Sequence, residues 1–557
     1  MTDLERGAAR TAKAAKAAKP RSPSLFAKQY PEPVWPKSLR CCLPQIMACL
    51  ACGLFNFPEG LSLSYSSSLI PELQRPDSPI PITLNQGVLL ASSMVGCMAV
   101  GTLLAGVVMN RFGRVNTIRY CTLPFAAGWF LVATASTYEQ VLAGRILTGL
   151  ANPLGVNAAV VFSTEVAPAH LRGALNGAHP TMASLGIVGG YVLGAITDWR
   201  TAAWWSGASP IVVLVLMHVT CYESPIWLVS KGRVEEAARS LHAYARRNDT
   251  EEGRERLPER QLEWLVQRRV CSESYTVEMP WYQAILNLFT QPVGYKPLLL
   301  LTVIFLAQNF SGVYITLFYA APFFKEMGVQ VDPFQAAILV GLTRLFTGVL
   351  AVVLIRKVGN RRLMTTASLG MAVCMMLSGY FTLYPENGLD GWVAVGLVLL
   401  YVSMSCCGLL TLPWTMTAEL FPDRLRDVGQ SFAVFTANLI EFAALQLYPT
   451  LMNGLQYGPV TGPVGIQWFF AAVALANVVF AIFFLPETRG KSLQEIEEHY
   501  QFNTLWLGRV KAPLEEPVAE AGADVFVIST TTVTDVDARK SSSESVVDVS
   551  QGDSYKL

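Results

Sequence analysis

The sequence predicts an all-α polytopic membrane protein of twelve transmembrane helices, arranged as two six-helix halves joined by a helical insert. Three observations predict it. Only 15% of the 557 residues are charged, where a soluble chain carries about a quarter. The apolar residues gather in runs of about 20, the length a helix needs to cross a hydrocarbon core about 30 Å thick. The ends of corresponding runs in the two parts of the chain also repeat the same charged patterns. Lipid offers a free backbone amide no partner, so each run must be a helix.

The first 40 residues are polar and basic, with Arg10, Lys13, Lys16, Lys19 and Arg21. They read as a disordered cytoplasmic tail rather than a transit peptide, because they lead directly into a membrane helix. The apolar runs follow near 41–68, 84–109, 117–136, 139–164, 174–196, 202–221, 297–322, 333–356, 363–383, 391–417, 429–452 and 465–485. Basic residues in short loops set the orientation. Arg40, Arg111, Arg114, Arg119, Arg172, Arg361, Arg362, Arg424, Arg426, Arg489 and Lys491 share one side. That side is predicted cytoplasmic, with both termini, in a multi-pass protein of the plasma membrane. The segments are thus a basic tail (1–40), a first half (41–222), a cytoplasmic insert (223–295), a second half (296–486) and a C-terminal tail (487–557). The insert carries helical, charged stretches over Val234–Arg247 and Leu257–Val270. Beyond about residue 505 the tail lacks apolar periodicity and reads as disordered.

Composition also excludes functions. Net charge near zero gives no field for nucleic acid. The cysteines lie mostly inside apolar runs without paired spacing, so neither a disulfide frame nor a metal site is expected. No nucleophile–base pair or phosphate loop is present, so the reading is no enzyme and no cofactor.

The repeat is specific. After span 2 come Gly106 and Asn110-Arg111-Phe112-Gly113-Arg114; after span 8 come Gly348 and Arg356-Lys357-Val358-Gly359-Asn360-Arg361. Span 4 ends on Glu165, Pro168 and Arg172-Gly173, and span 10 on Glu419, Pro422 and Arg426. Such repetition marks a transporter built from parallel halves. Further patterns are Gly144-Arg145 with Gly149, Glu223-Ser224-Pro225-Ile226-Trp227-Leu228 and Gln308 with Ser311-Gly312 and Tyr319. Pro413-Trp414 with Glu419-Leu420-Phe421-Pro422 and Pro486-Glu487-Thr488-Arg489-Gly490 complete the set. With these in order over roughly Gln45 to Tyr500, the chain resembles the sugar porter family of the major facilitator superfamily. Pro180-Thr181 in span 5 and Thr411 to Glu419 in span 10 resemble its arthropod trehalose-transporter-like branch.

The resemblance implies a major facilitator fold and sugar transport by alternating access, facilitative in kind, for a hexose, a trehalose-like disaccharide or a polyol. It places substrate contacts at Gln308, Asn309, Ser311, Tyr314, Tyr319, Trp414, Asn438 and Glu441. Gln308, Ser311, Gly312, Ile315 and Tyr319 fall on one stripe at helical spacing, and Trp414 offers a surface for a sugar ring. Arg111, Arg114, Arg145, Glu165, Arg172 and Glu223 in the first half, with Arg361, Glu419 and Arg426 in the second, are expected to form a charge gate. Positive-inside anchoring alone explains the exposed arginines, but not two acids at equivalent points.

The pattern also departs from the family. Asn309 and Tyr314 stand where the family has glutamine and asparagine, Pro180 where it has glutamine, and Glu441 where it has a neutral asparagine. Glu59 in span 1 shares a face with Ser62 and Ser66. Burial favours a protonated carboxyl, so Glu59 and Glu441 are candidate proton sites. A proton-coupled or organic-ion carrier of the same fold, and a nutrient sensor that does not transport, are the rival readings. Gly186, Gly190 and Gly194 read as helix packing. Asn248 to Thr250 matches a glycan acceptor but sits on the cytoplasmic side. Ser541 to Ser543, after Arg539-Lys540, and the terminal Tyr555-Lys556-Leu557 are candidate contacts for a kinase or a PDZ-type domain, against the plain reading of a solvated tail.

Overall fold

A computed structural model describes residues 39–245, 251–275, 280–328, 332–384, 392–422, 424–456, 461–487 and 493–503. Expectations for the tail before residue 39, for Asn248 to Thr250, for Arg489 and Lys491, and for the Ser541 and Tyr555 motifs lie outside them.

Among the described residues, ten helices are long and apolar enough to cross a membrane, and Arg114–Ala133 and Arg172–Ile196 complete the twelve expected. Span 1 is Leu39–Gly53 continued by Asn56–Leu73; spans 2 to 6 are Leu84–Phe112, Arg114–Ala133, Tyr138–Val166, Arg172–Ile196 and Trp199–Thr220. Span 7 runs from Pro292–Phe310 through Ile315–Phe318 to Ala320–Glu326. Spans 8 and 9 are Pro333–Val358 and Asn360–Leu383, span 10 is Trp392–Cys407 with Leu412–Glu419, and spans 11 and 12 are Arg426–Gly454 and Gly462–Phe484.

Short polar side chains set the helix starts. Thr83 and Gln86 form a reciprocal capping box at span 2. Asp198 accepts the Thr201 amide at 3.2 Å at span 6, and Asp332 accepts the Phe334 amide at 3.0 Å ahead of Pro333 at span 8.

The continuous stripe expected in span 7 is not one helical face, because the helix breaks after Phe310. Gly312 adopts φ +90°, and a Cβ there would lie 2.5 Å from the Phe470 ring. Span 10 breaks over residues 408–411 at a similar depth, ahead of Pro413, and span 1 breaks at Leu54 and Phe55. Each break frees backbone groups that lipid cannot satisfy, and side chains take them. Asn56 donates to the Gly53 carbonyl at 2.8 Å and meets His179, which also meets Ser163. Tyr401 donates to the Ser311 carbonyl at 2.6 Å. Gln308 donates to the carbonyls of Leu409 and Leu410 at 2.8 and 3.0 Å.

Span 5 presses its glycines onto span 1. A Cβ at Gly186 would strike the Phe57 carbonyl, one at Gly190 the Ser64 hydroxyl, and one at Gly194 the Ser68 side chain. Hydrogen bonds join the halves toward the end remote from Arg114 and Glu165. Ser67 accepts the Ala321 amide at 3.0 Å, Tyr191 donates to the Leu317 carbonyl at 2.6 Å, and Gln446 donates to Ser92 at 2.9 Å. Nearer mid-membrane, Asn438 donates to Thr102 at 3.3 Å.

The segment between the halves is folded, as expected. Helices Pro225–Ser230, Val234–Ala245 and Glu251–Tyr275 bury Trp227, Leu228, Leu241, Leu262 and Leu265 together. Tyr244 docks this cluster on the end of span 6, donating to the Tyr222 carbonyl at 2.8 Å and accepting its amide at 3.1 Å. Burial raises the Tyr244 hydroxyl's pKa well above its ordinary value, so it stays a donor.

Two substitutions test the packing. Gly190→Ala should lower the thermal midpoint of the purified protein, costing about 1–3 kcal/mol from overpacking. Gly106→Ala, with nothing within 4 Å of the new methyl, should raise it slightly, by about 0.5–1 kcal/mol of helix propensity. Equal shifts in a thermal-shift assay would refute this packing.

Candidate functional site

Two polar regions interrupt the apolar bundle. At the charged end, Gly113 takes φ +97° and span 3 starts immediately after it. Glu223 then accepts the amides of Arg114, Val115 and Asn116 at 2.8, 3.1 and 3.2 Å. It caps the positive end of the helix, and its partners are backbone amides rather than the side-chain cation expected of a gate. Arg114 reaches Glu165 at the end of span 4, 2.8 Å from Nη2 and 3.1 Å from Nε, with both groups mostly buried. Ser224 donates to the same carboxylate, which ties spans 3 and 4 to the chain leaving span 6. Arg172 and Glu165 line one cavity of about 300 Å³ with Gln45, Gln261, Trp264 and Arg268. Arg111 is exposed and lies over the Phe112 ring at 5.7 Å.

The second half repeats the design with one exchange. Gly359 takes φ +90° and Glu487 accepts the Asn360 amide at 3.0 Å, as Glu223 does for Arg114. Here Asn360 reaches the acid, its amide donating to Glu419 at 3.2 Å. Arg361, expected to be the gate charge, instead donates to the Ile482 carbonyl in span 12. One residue along a helix is a turn of about 100°, which carries Arg361 away from the acid. Arg426 opens span 11, beyond the short loop that follows Glu419.

Arg145 does not belong to this network. It lies 20 residues before Glu165 on span 4, roughly 30 Å along the axis. It is fully buried, donating to the Ser62 carbonyl at 3.2 Å and to Ser66 at 2.8 Å, with the Tyr65 ring at 5.9 Å. The Ser62–Ser66 face of span 1 therefore holds a first-half cation.

The centre of the bundle gathers most of the expected substrate residues. Gln308 and Asn309 are buried in span 7, but their donors are engaged by Leu409 and Leu410 and by Phe305; only their carbonyl oxygens lack partners. Ser311 donates to Gln308. Tyr314 lies in the break of span 7, its hydroxyl beside the Trp414 indole. Trp414, half-buried, meets Phe305 edge-on at 5.3 Å. Tyr319 stacks on Tyr448 at 5.1 Å, and both hydroxyls are buried without a partner. Asn438 bridges to span 2, while Glu441, 6% exposed, lies within electrostatic reach of Tyr314.

Sequence reasoning missed Arg344. It sits mid-way in span 8, half-buried, within electrostatic reach of Glu59, Glu441, Tyr314 and Tyr191. Its signal was available: an arginine deep inside a 26-residue apolar helix is costly enough to need a role. Glu59 is seated beside the amide of Asn152 on span 4. Among the described residues, no group of His, Cys, Asp and Glu could hold a metal ion.

Two matched halves, broken helices at the centre and carboxylates at equivalent helix ends define a two-domain membrane carrier. The sequence model described as "Sugar (and other) transporter" matches residues 51–500, and the chain belongs to that family. It is a sugar transporter and not an enzyme. Similar relatives include the facilitated trehalose transporter Tret1 of Apis mellifera ligustica, 28% identical over 461 residues, covering 82% of this chain and 88% of the relative. That of Bombyx mori is 28% identical over 467 residues, covering 81% and 86%. Among solved structures, the proton:xylose symporter XylE bound to 6-bromo-6-deoxy-D-glucose superposes with TM-score 0.64 at 21% identity, covering 82% of this chain and 99% of that one. The inward-open xylose transporter XylE from E. coli gives 0.64 at 20% identity, covering 81% and 98%. At this identity they show the shared fold.

The exchange between halves predicts unequal coupling. A double-mutant cycle over Arg114→Ala and Glu165→Ala should return about 1–3 kcal/mol in unfolding measurements. The cycle over Asn360→Ala and Glu419→Ala should return less, since a carboxylate gains more from a guanidinium fork than from an amide. A larger value for the second pair would contradict this.

Proposed function

We propose that this sugar transporter carries a neutral hexose, a trehalose-like disaccharide or a polyol down its gradient across the plasma membrane by alternating access. The observation that carries this is the juxtaposition of the breaks in spans 7 and 10, which brings Tyr314 and Trp414 together at mid-membrane. A sugar needs an apolar ring face and convergent polar groups. Trp414 supplies the first; the carbonyls of Gln308 and Asn309, the hydroxyls of Tyr314, Tyr319 and Ser311, and the side chains of Asn438 and Glu441 supply the second. The relatives' names, facilitated trehalose transporters, support this solute class and downhill transport.

The charged end faces the cytoplasm in this reading, with both termini. Arg114 with Glu165, and Asn360 with Glu419, tie the helix ends within each half, and with Arg172 and Arg426 they are the groups proposed to meet across the two halves when that side closes. A solute bound between the halves shifts the population toward closure, because it binds the closed state more tightly. In the C-terminal tail, Ser541 to Ser543 and Tyr555 to Leu557 are the segments proposed for a kinase and a PDZ-type partner.

Liposome uptake tests the function. Labelled glucose or trehalose should enter saturably, and a protonophore should leave the rate unchanged. Trp414→Ala should raise KM about tenfold or more, the loss of one stacking contact and its neighbours. Absence of saturable uptake for glucose, fructose, trehalose and inositol would refute the sugar reading. Uptake abolished by the protonophore would replace downhill transport with proton coupling, for which Glu59 and Glu441 are the candidate carboxyls.

A further inference from the structure

The charged side chains at the centre do not pair with each other as an ion-pair network would. Arg344 comes from span 8, Glu441 from span 11 and Glu59 from span 1, so both halves contribute. Arg344 lies within electrostatic reach of both carboxyls, and the carboxyls within reach of each other. Yet among the described residues Arg344 and Glu441 make no direct hydrogen bond or ion pair. Holding a guanidinium and two carboxyls near mid-membrane without direct contact costs stability. A helix bundle needing only to pack would not keep them so.

The side-chain amides beside them already hold partners, which leaves the hydroxyls of Tyr319 and Tyr448 as neutral donors. The Gln308 amide is held by the Leu409 and Leu410 carbonyls, the Asn309 amide by Phe305, and the Asn438 amide by Thr102. Acceptors without partners remain in the Gln308 and Asn309 carbonyl oxygens, in addition to the two carboxyls. Sugar hydroxyls need both donors and acceptors. The guanidinium of Arg344, mid-way along span 8, is a charged donor from the second half within electrostatic reach of both carboxyls.

We infer that Arg344, with Glu441 and Glu59, is the hydroxyl-recognition element of this carrier, gripping adjacent hydroxyls of a neutral sugar or polyol from both halves at once. The guanidinium fork donates to two neighbouring oxygens, and a carboxylate accepts from two neighbouring hydroxyls. Because Glu59 belongs to the first half and Arg344 and Glu441 to the second, the bound solute bridges them. It thereby favours the arrangement in which the halves close around it. This rests on the sugar reading and names the residues that select within it.

The test pairs protein variants with solute variants. Full-length wild type, Arg344→Gln, Arg344→Lys and Glu441→Gln are reconstituted in liposomes, with thermal midpoints checking that each folds. Uptake of D-glucose is compared with that of its 2-, 3-, 4- and 6-deoxy forms, with trehalose and its deoxy forms as a second series. In wild type, loss of at least one hydroxyl should lower kcat/KM about tenfold or more. In Arg344→Gln the same deletion should cost little, because its partner is gone. Arg344→Lys should recover only part of the discrimination, keeping the charge but losing the fork. A merely structural Arg344 would lower uptake of every solute alike and leave the deoxy profile unchanged. That result, in a variant that still transports, would overturn the inference alone; wild type that takes up no sugar would overturn the sugar reading and the inference with it. Preferential uptake of a zwitterionic amino acid, lost in both Arg344→Gln and Glu441→Gln, would also overturn it.

Discussion

Gln308 donates to two carbonyls of a neighbouring broken helix, and much of the protein's centre depends on that arrangement. Interrupting a helix in lipid exposes backbone groups that cost several kcal/mol each when unsatisfied. By answering Leu409 and Leu410, one buried amide lets span 10 open beside the break in span 7. Tyr401 answers Ser311 in the opposite direction, so each break is steadied by a side chain from the other span. The consequence is chemical as well as mechanical. An amide committed to backbone has no donor left for a solute, and the recognition proposed above therefore draws on Tyr314, Trp414 and the charged groups around Arg344.

The same economy of partners shapes the charged end. Positive-φ glycines start spans 3 and 9, and a carboxylate from after the sixth or twelfth span caps each. On this shared frame the first half places an arginine against Glu165, and the second an asparagine against Glu419. The halves are thus alike in backbone and unlike in which side chain following the glycine meets the acid. A carrier alternates only if its two states lie within a few kcal/mol of each other.

Architecture was legible in the chain because lipid imposes a length and a polarity on every span. Boundaries moved by only a few residues; the larger shifts were span 1, which runs on to Leu73 rather than ending near 68, and span 7, which starts at Pro292 rather than near 297. Helix breaks were harder to read. A glycine at 312 looks like any packing glycine until its φ is known, so a stripe counted at helical spacing crossed a turn. Charge placement was hard to read for a related reason. Arg145 and Arg361 were grouped with the gate by residue type and motif, but position along a helix decides contact. About 30 Å of span 4 separates Arg145 from Glu165, and one residue of rotation exchanges Arg361 for Asn360. Arg344 was passed over inside an apolar run, although an intramembrane charge is the clearest functional signal such a run can hold.

The central claim is that two rigid halves rock about the solute held between the broken spans. Paired spin-label distances test it most directly in the full-length protein in lipid. One pair at Arg111 and Arg362 reports the charged end, and another at Ser136 and Tyr384 reports the opposite end; all four positions are exposed. Varying the concentration of a transported sugar should redistribute both distances in opposite senses, the charged end narrowing as the other widens. Distances that stay fixed at both ends, or that widen and narrow together, would contradict the account.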